Sequence, residues 1–339
     1  MKMFFAACLL AVTGANAADY VVAPSGNDKA DGITKPWATL VNAGPRLKPG
    51  DTLTIGAGDY SNWASALTVT VRGTAEAPVV IRGSAEFSRT SGGWAVIRDS
   101  SYVTVDGFTC RDMGGACIAI RNSDHVTVRR VRAYGNWRAI DAVATDDSTF
   151  EHLHIERNTE GVYIRAGSDR NTVQFSTFDG NGNGQAGDRC AICIGEASAG
   201  VGNRILHNHV TNSGGPAGDV AVIAYAAPET LIAWNTVTGN YQGGIWVTQG
   251  SRNSAIIGNV VTHNGRLLGE SNQASVSVRN DSPGTLVLDN EIVSNRVSPG
   301  DRWGQTDERG ALDIRRTTGV TLLRNIVYGT VNGPDVVLR

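Results

Sequence analysis

The chain has 339 residues, with 30 Lys and Arg against 32 Asp and Glu, so no global field favours nucleic acid or an anionic membrane. Beyond the N terminus no segment is apolar enough to span a bilayer, and the 41 glycines suit a fold with many tight turns. Residues 1–17 read as a secretory signal: Lys2, an apolar run over 3–12, then Ala15-Asn16-Ala17 before a cut. A secreted or periplasmic protein is expected. Cys8 leaves with the signal.

Residues 18–60 form an opening segment that caps the remainder of the chain. A strand is expected over 20–23, turns at SGND and ADG, a short helix over 36–43 ended by Gly44-Pro45, and a turn into a strand at LKPGDTLTI. A stack of strands exposes core and unpaired edges at its end, so a cap is required.

Residues 61–339 read as coils of a repeat, irregular over 67–123 (VVIRGS, WAVIRDSS, VTVDGF, CIAIRNSD) and alignable from Val126 onward. The clearest coil is 230–251, TLIAWNTVTGNYQGGIWVTQGS, with three short alternating runs separated by turns at Asn235 and at Gly239-Asn240. An Asn at the first turn recurs at Asn208, Asn235, Asn259, Asn290 and Asn325, spaced by 27, 24, 31 and 35 residues. A second column runs through Asn136, Asn158, Asn181, Asn240, Asn264 and Asn295. Such periods indicate a solenoid or propeller, and three strands per period without hairpin pairing favour a parallel β-helix. The expected fold is all-β, one right-handed parallel β-helix with an N-terminal cap. Stacked Asn side chains bond one another and tolerate left-handed turns, so their role is structural.

The third runs align as AIDAV (139–143), GVYIR, AICIG, AVIAY, GIWVT, SVSVR and ALDIR. Their outward positions make three columns. The first is small throughout: Ala139, Gly161, Ala191, Ala221, Gly244, Ser275 and Ala311. The second is Asp141, Tyr163, Cys193, Ile223, Trp246, Ser277 and Asp313. The third is Val143, Arg165, Gly195, Tyr225, Thr248, Arg279 and Arg315. A strip of small residues flanked by Arg, Asp, Tyr and Trp reads as a trough for an extended anionic polymer. Extra residues collect just before these runs, at 182–189, 214–219, 265–273 and 297–309, and insertions on one face of a solenoid often mark its binding face.

The opening YVVAPSGND, followed by PWATL and LKPGDTLTIGAGDY, resembles the N-terminal cap of secreted right-handed parallel β-helix proteins of the pectate-lyase-like superfamily. That superfamily includes pectate lyases, alginate lyases, chondroitinase-type lyases and uronan epimerases. The resemblance covers nearly the whole chain after the signal and implies a polysaccharide groove walled by the loops before the third strand. It also permits an Arg as base.

A uronan lyase removes the proton next to a carboxylate and expels the sugar linked two carbons away. The developing charge needs cations against the carboxylate, from Ca²⁺, Arg or both. The only lysines are Lys2, Lys29, Lys35 and Lys48, which leaves no Lys base in the coils. An Arg base would fit Arg165, Arg189 or Arg279, with Arg189 the first choice and Tyr163, Tyr225 or a His the softer alternatives, and Arg165 would clamp the uronate carboxylate or stabilise the leaving oxygen. Tyr163, Asp141, Trp246, Gln242, Gln273, Arg279 and Arg309 are the expected substrate-binding residues. Asp188, Asp219 and Glu196 are the candidate Ca²⁺ ligands.

The leading reading is therefore a lyase acting by β-elimination on a uronate-containing polysaccharide of pectate, alginate or glycosaminoglycan type. The expected partner is an anionic polysaccharide, with no nucleic acid and no membrane, and the protein a monomer. A glycoside hydrolase needs paired carboxylates, for which Asp141 and Glu160 qualify by coil spacing. The Asn-Thr-Asp and Gly-His-Gly motifs of polygalacturonase-like hydrolases and the Asp-Pro-His epimerase motif are absent. A non-catalytic carbohydrate-binding protein is the third reading. His152, His154, His207 and His209 read as surface or turn residues. Cys110 and Cys117 flank a turn and could pair in an exported protein. Cys190 and Cys193, if their segment is extended, are too far apart to bridge and read as packed thiols.

Overall fold

Each strand is too short to bury a face alone. In Thr236–Thr238 only Val237 points inward, fully buried between two half-buried threonines. Stability comes from stacking: every strand pairs in parallel with its equivalent one coil away, and three such columns enclose a single core. The computed structural model describes residues 17–58, 60, 66–88, 92–182, 189–195, 200–214, 220–266, 274–297 and 310–338. Among these, three parallel sheets of 12, 10 and 11 strands run in sequence order. Ile232, Val237 and Ile245 show how one coil feeds all three sheets, each side chain buried on its equivalents above and below.

The corners are held by side-chain ladders. At the first corner Asn208 donates to Asn235 at 3.1 Å, Asn235 to Asn259 at 3.0 Å, Asn259 to Asn290 at 2.9 Å and Asn290 to Asn325 at 2.9 Å. At the second, Asn136, Asn158 and Asn181 form one run and Asn240, Asn264 and Asn295 another, joined through Ser213. Each ladder Asn also takes a buried backbone N–H, as when Asn259 Oδ1 accepts from Asn235 N at 2.9 Å. These are corner groups that a strand ladder leaves unsatisfied.

The residue before the first-corner Asn adopts left-handed backbone, with φ of 55° at His207 and 57° at Trp234. These side chains point outward and stack His152–Phe175–His207–Trp234 at 5.1 to 5.6 Å on the corner across from the third sheet. His152 and His207 are thus exposed corner residues. The next member of the column is Gly258 (φ 63°), where an added Cβ would lie 2.9 Å from the Trp234 ring.

The opening strand Asp19–Val22 joins the edge of the first sheet through Thr52–Ile55. The helix is shorter than expected, Leu40–Ala43, and is followed by a 3-10 turn, Gly44–Arg46. It starts late because Trp37 is drawn into a bridge with Val22, while the Asp28 carboxylate takes the N–H groups of Ala38 and Thr39. Thr39 then caps the helix. Gly44-Pro45 does not end the turn, because Pro fits the first position of a helical turn.

Cys110 and Cys117 are bridged, with Cα atoms 6.0 Å apart. The Cys190–Cys193 pair corrects the sequence reading: it too is a disulfide, with a Cα separation of 5.6 Å. The segment is not extended throughout. The chain bends at Ala191 before the strand Ile192–Ile194, and the bend brings both sulfurs together.

Candidate functional site

The third sheet carries the aligned columns in the expected register. Asp141 lies beside Tyr163, Tyr163 beside Cys193, Cys193 beside Ile223, Ile223 beside Trp246, Trp246 beside Ser277 and Ser277 beside Asp313.

Burial overturns the trough built from those columns. The small column is sealed, with Ala139, Ala191, Ala221, Ser275 and Ala311 wholly buried. Its residues are small because backbone from the next coil passes there. An added Cβ at Gly161 would lie 2.1 Å from the Ala191 carbonyl oxygen, and at Gly244 2.7 Å from that of Ser275. The second column is buried as well, each member 8% exposed or less. Tyr163, Cys190, Cys193, Val220, Ile223 and Trp246 form a second apolar cluster outside the sheet, with Tyr225 packed against it.

The same outward positions are open further toward the N terminus. Thr68, Thr70 and Arg98 are exposed, and Val96, Ala119 and Arg121 are half-buried. Thr68 pairs with Val96, Val96 with Ala119 and Ala119 with Asp141, so the open strip leads to that carboxylate.

Asp141 is ringed by three guanidinium groups. Arg165 donates from Nε at 3.1 Å and from Nη2 at 3.4 Å. Arg121 bonds the carboxylate through Nη2 and the Asp141 carbonyl through Nη1 at 2.6 Å. Arg138 lies 3.5 Å away and also bonds Glu160. Burial alone would raise the Asp141 carboxyl, but the hydrogen bond from Arg165 and the charges of Arg121, Arg138 and Arg165 outweigh it and hold the carboxyl below its ordinary value. Among the described residues, three guanidinium groups thus gather on two carboxylates. The arginine side chains remain 16% to 33% exposed.

Aromatic rings complete the patch. Arg138 and Arg165 stand over the Tyr163 ring at 4.6 and 5.5 Å. Arg189 stands 4.5 Å over Trp137, which is 42% exposed. Arg279 covers Trp246 at 3.6 Å, and Asp313 pairs with Arg315 in a buried ion pair. Gln242 is buried.

The structure thus brings Arg165, Asp141, Tyr163 and Arg189 to one patch. Trp246 and Gln242 lie buried in the sealed part of the sheet, while Tyr225 and Arg279 are half-buried beside it. Gln273, Arg309, Asp188, Asp219 and Glu196 fall outside the described residues. Sequence reasoning missed Arg121, Arg138 and Trp137. Arg121 shares the third outward column, next to Val143 and Arg98, but in a coil whose repeat is irregular in sequence. Trp137 follows the ladder residue Asn136 at a corner, outside every strand column.

Among the described residues no three His, Cys, Asp or Glu side chains group as a metal site, and no helix is long and apolar enough to cross a membrane.

The model of the right handed beta helix region family matches residues 60–201 and 188–327. Among solved structures, an alginate lyase from Paenibacillus sp. str. FPU-7 superposes with a TM-score of 0.57 at 17% identity, over 74% of this chain and 91% of that one. The pectate lyase Pel9A superposes with a TM-score of 0.53 at 13% identity, over 93% of this chain and 80% of that one. At these identities the likeness is one of fold. Among curated proteins none matches the sequence at a significant level.

Proposed function

The chain belongs to the right handed beta helix family, and on that premise we propose that it is a polysaccharide lyase that cleaves a uronate-containing polymer by β-elimination. The observation that carries this reading is the Asp141 cluster: an ionised carboxylate that gathers three arginines at a half-open face. Arginine presents a planar fork of donors that matches a carboxylate. Arg121, Arg138 and Arg165 take the uronate carboxylate and stabilise the charge that develops when the neighbouring carbon loses its proton. Arg165, paired with an ionised Asp141, is suited to that clamp and not to accepting a proton. Arg189 is the proposed base, held over Trp137 at the edge of the patch, and Tyr225 is the alternative. The exposed Trp137 offers a ring on which a sugar can stack.

The relatives that superpose with TM-scores above 0.5 include an alginate lyase and a pectate lyase, which agrees with this reading at the level of fold. The hydrolase alternative loses support at its carboxylate pair. A general acid needs a raised pKa, whereas Asp141 is lowered and Glu160 is bound to Arg138. Calcium, if used, would be held by Asp188, Asp219 and Glu196.

The test is to incubate the protein with pectate, alginate and glycosaminoglycans, with and without a chelator, and to follow the ultraviolet absorbance of an unsaturated uronate. A rise on one polymer that disappears in Arg189→Ala supports the lyase and its base. Reducing ends without that absorbance would select the hydrolase, and binding without cleavage the non-catalytic protein. Loss of the signal on chelation would assign calcium a role.

A further inference from the structure

The two ends of the coil stack differ. At the first end the cap closes each sheet. The edge of Asp19–Val22 is taken by Trp37, whose N–H donates to Val21 O at 2.9 Å and whose carbonyl accepts from Ala23 N at 3.0 Å. Gly44 presses on the start of the third sheet so closely that an added Cβ would lie 2.0 Å from the Thr68 carbonyl oxygen. Tyr60 packs at 5.3 Å against Phe87, in the first strand of the second sheet, and both rings are buried.

At the other end Thr321–Leu323, Ile326–Tyr328 and Val336–Leu338 are the outermost strands of the three sheets, each paired on one side only among the described residues. Parallel pairing turns alternate residues to opposite edges. Thr321 N and Ile326 N turn back, donating to Thr285 O at 3.0 Å and Asn290 O at 2.8 Å. The N–H and C=O of Leu322 and Val327 therefore point out of the stack. The core opens here too. Val287 and Ile292 are wholly buried, whereas their equivalents one coil on, Leu322 and Val327, are half-buried. Exposed edges are ordinarily guarded by charge or proline. These three strands contain neither, and Leu323, Ile326, Tyr328 and Leu338 stand exposed on them.

Whatever covers this end must offer three strand edges at once, set around an apolar core of the same cross-section. The chain's own first end is closed, which leaves the same end of a second copy. A two-fold axis across the stack brings the outermost strands of two copies together antiparallel, a pairing that the outward N–H and C=O groups can make. The strands carry no charge, and the adjacent Arg324 is held by Asp289 at 2.6 and 2.8 Å, so two such ends do not repel. We propose that the last coil is a dimer interface that joins two copies end to end, in place of the monomer expected from the sequence.

The test is light scattering after size exclusion, with the protein loaded from about 1 to 100 μM. The expected result is twice the chain mass at the highest loading, falling toward the single chain on dilution. Hydrogen exchange should show the Leu322 and Val327 amides protected in the dimer. Leu323→Lys combined with Ile326→Lys sets like charges against each other from exposed positions and should weaken association at least about tenfold. Val327→Pro removes an outward N–H that no bond within the stack uses, and should also abolish the dimer. Thermal melting monitors folding of both variants, and the Ile292 amide should stay protected in each. A single-chain mass at every loading overturns the proposal, and protected Leu322 and Val327 amides in that species would assign the covering to the chain itself. A dimer that survives both changes in folded protein overturns it as well.

Discussion

The outer face of the third sheet has two regions with the same strand register and opposite fates. Over its first three coils the outward residues are Thr68, Thr70, Val96, Arg98, Ala119 and Arg121, and they meet solvent. Over the next seven the second column runs from Asp141 through Tyr163, Cys193, Ile223, Trp246 and Ser277 to Asp313, and every one is buried. Arginine and threonine are well solvated at single positions, so a row of them stays open. Tyrosine, a disulfide, isoleucine and tryptophan at one coil spacing touch sideways and exclude water, so they close into a cluster of their own. An outward position on a solenoid is thus a direction, not an exposure. The Asp141 cluster sits on the boundary, where a buried carboxylate meets arginines that are still partly wet.

The comparison predicts that changes in the sealed region cost stability and changes in the open region cost binding. The largest effect is expected at Trp246→Ala, which removes a buried aromatic side chain and should cost about 3–5 kcal/mol in a denaturant titration. An unchanged unfolding midpoint with lost polymer affinity would instead make Trp246 an accessible floor. At the boundary, Asp141→Asn removes the carboxylate charge that three guanidinium groups share. The expected cost is about 2–3 kcal/mol, less than for a fully buried pair because the arginines are partly solvated.

The same substitution sharpens the pH behaviour. The Asp141 carboxyl is lowered from its ordinary 3.8, so its contribution is complete above that value and is lost as pH falls through the lower value of the folded state. Acid titrations of stability should therefore separate wild type from Asp141→Asn above pH 3.8 and converge below it. Replacing both Cys190 and Cys193 by Ser opens a short loop inside the sealed cluster and should cost about 2 kcal/mol. Arg121→Ala, at the open edge, is expected to change stability by less than about 1 kcal/mol. It should nevertheless weaken polymer binding about tenfold, as loss of a charge-assisted hydrogen bond does.

Much of this fold was legible because its repeats are marked by residues that do one thing. Asn208, Asn235 and Asn259 must recur where buried corner N–H groups recur, so their spacing exposed the coils. Alternation within runs such as GIWVT gave the register of the third sheet. Burial of the outward columns was not legible, because sideways closure of Tyr163, Ile223 and Trp246 is a property of neighbouring coils and not of any one strand. The small column showed the limit most clearly. Gly161 and Gly244 signalled close backbone approach, which reads in sequence the same as the floor of a trough. The Cys190–Cys193 bridge was hidden by a single bend at Ala191. Arg165 and Asp141 were found, whereas Arg121 and Arg138, which complete the cluster, needed the coil-to-coil pairing.

The most direct test is side-chain oxidation footprinting of Trp137 and Trp246, with and without the polymer that the lyase assay selects. Trp137 should oxidise readily in the free protein and be protected by the polymer, while Trp246 should react slowly in both states. Protection at Trp246 with no change at Trp137 would contradict this division of the sheet, because the polymer would then occupy its sealed region.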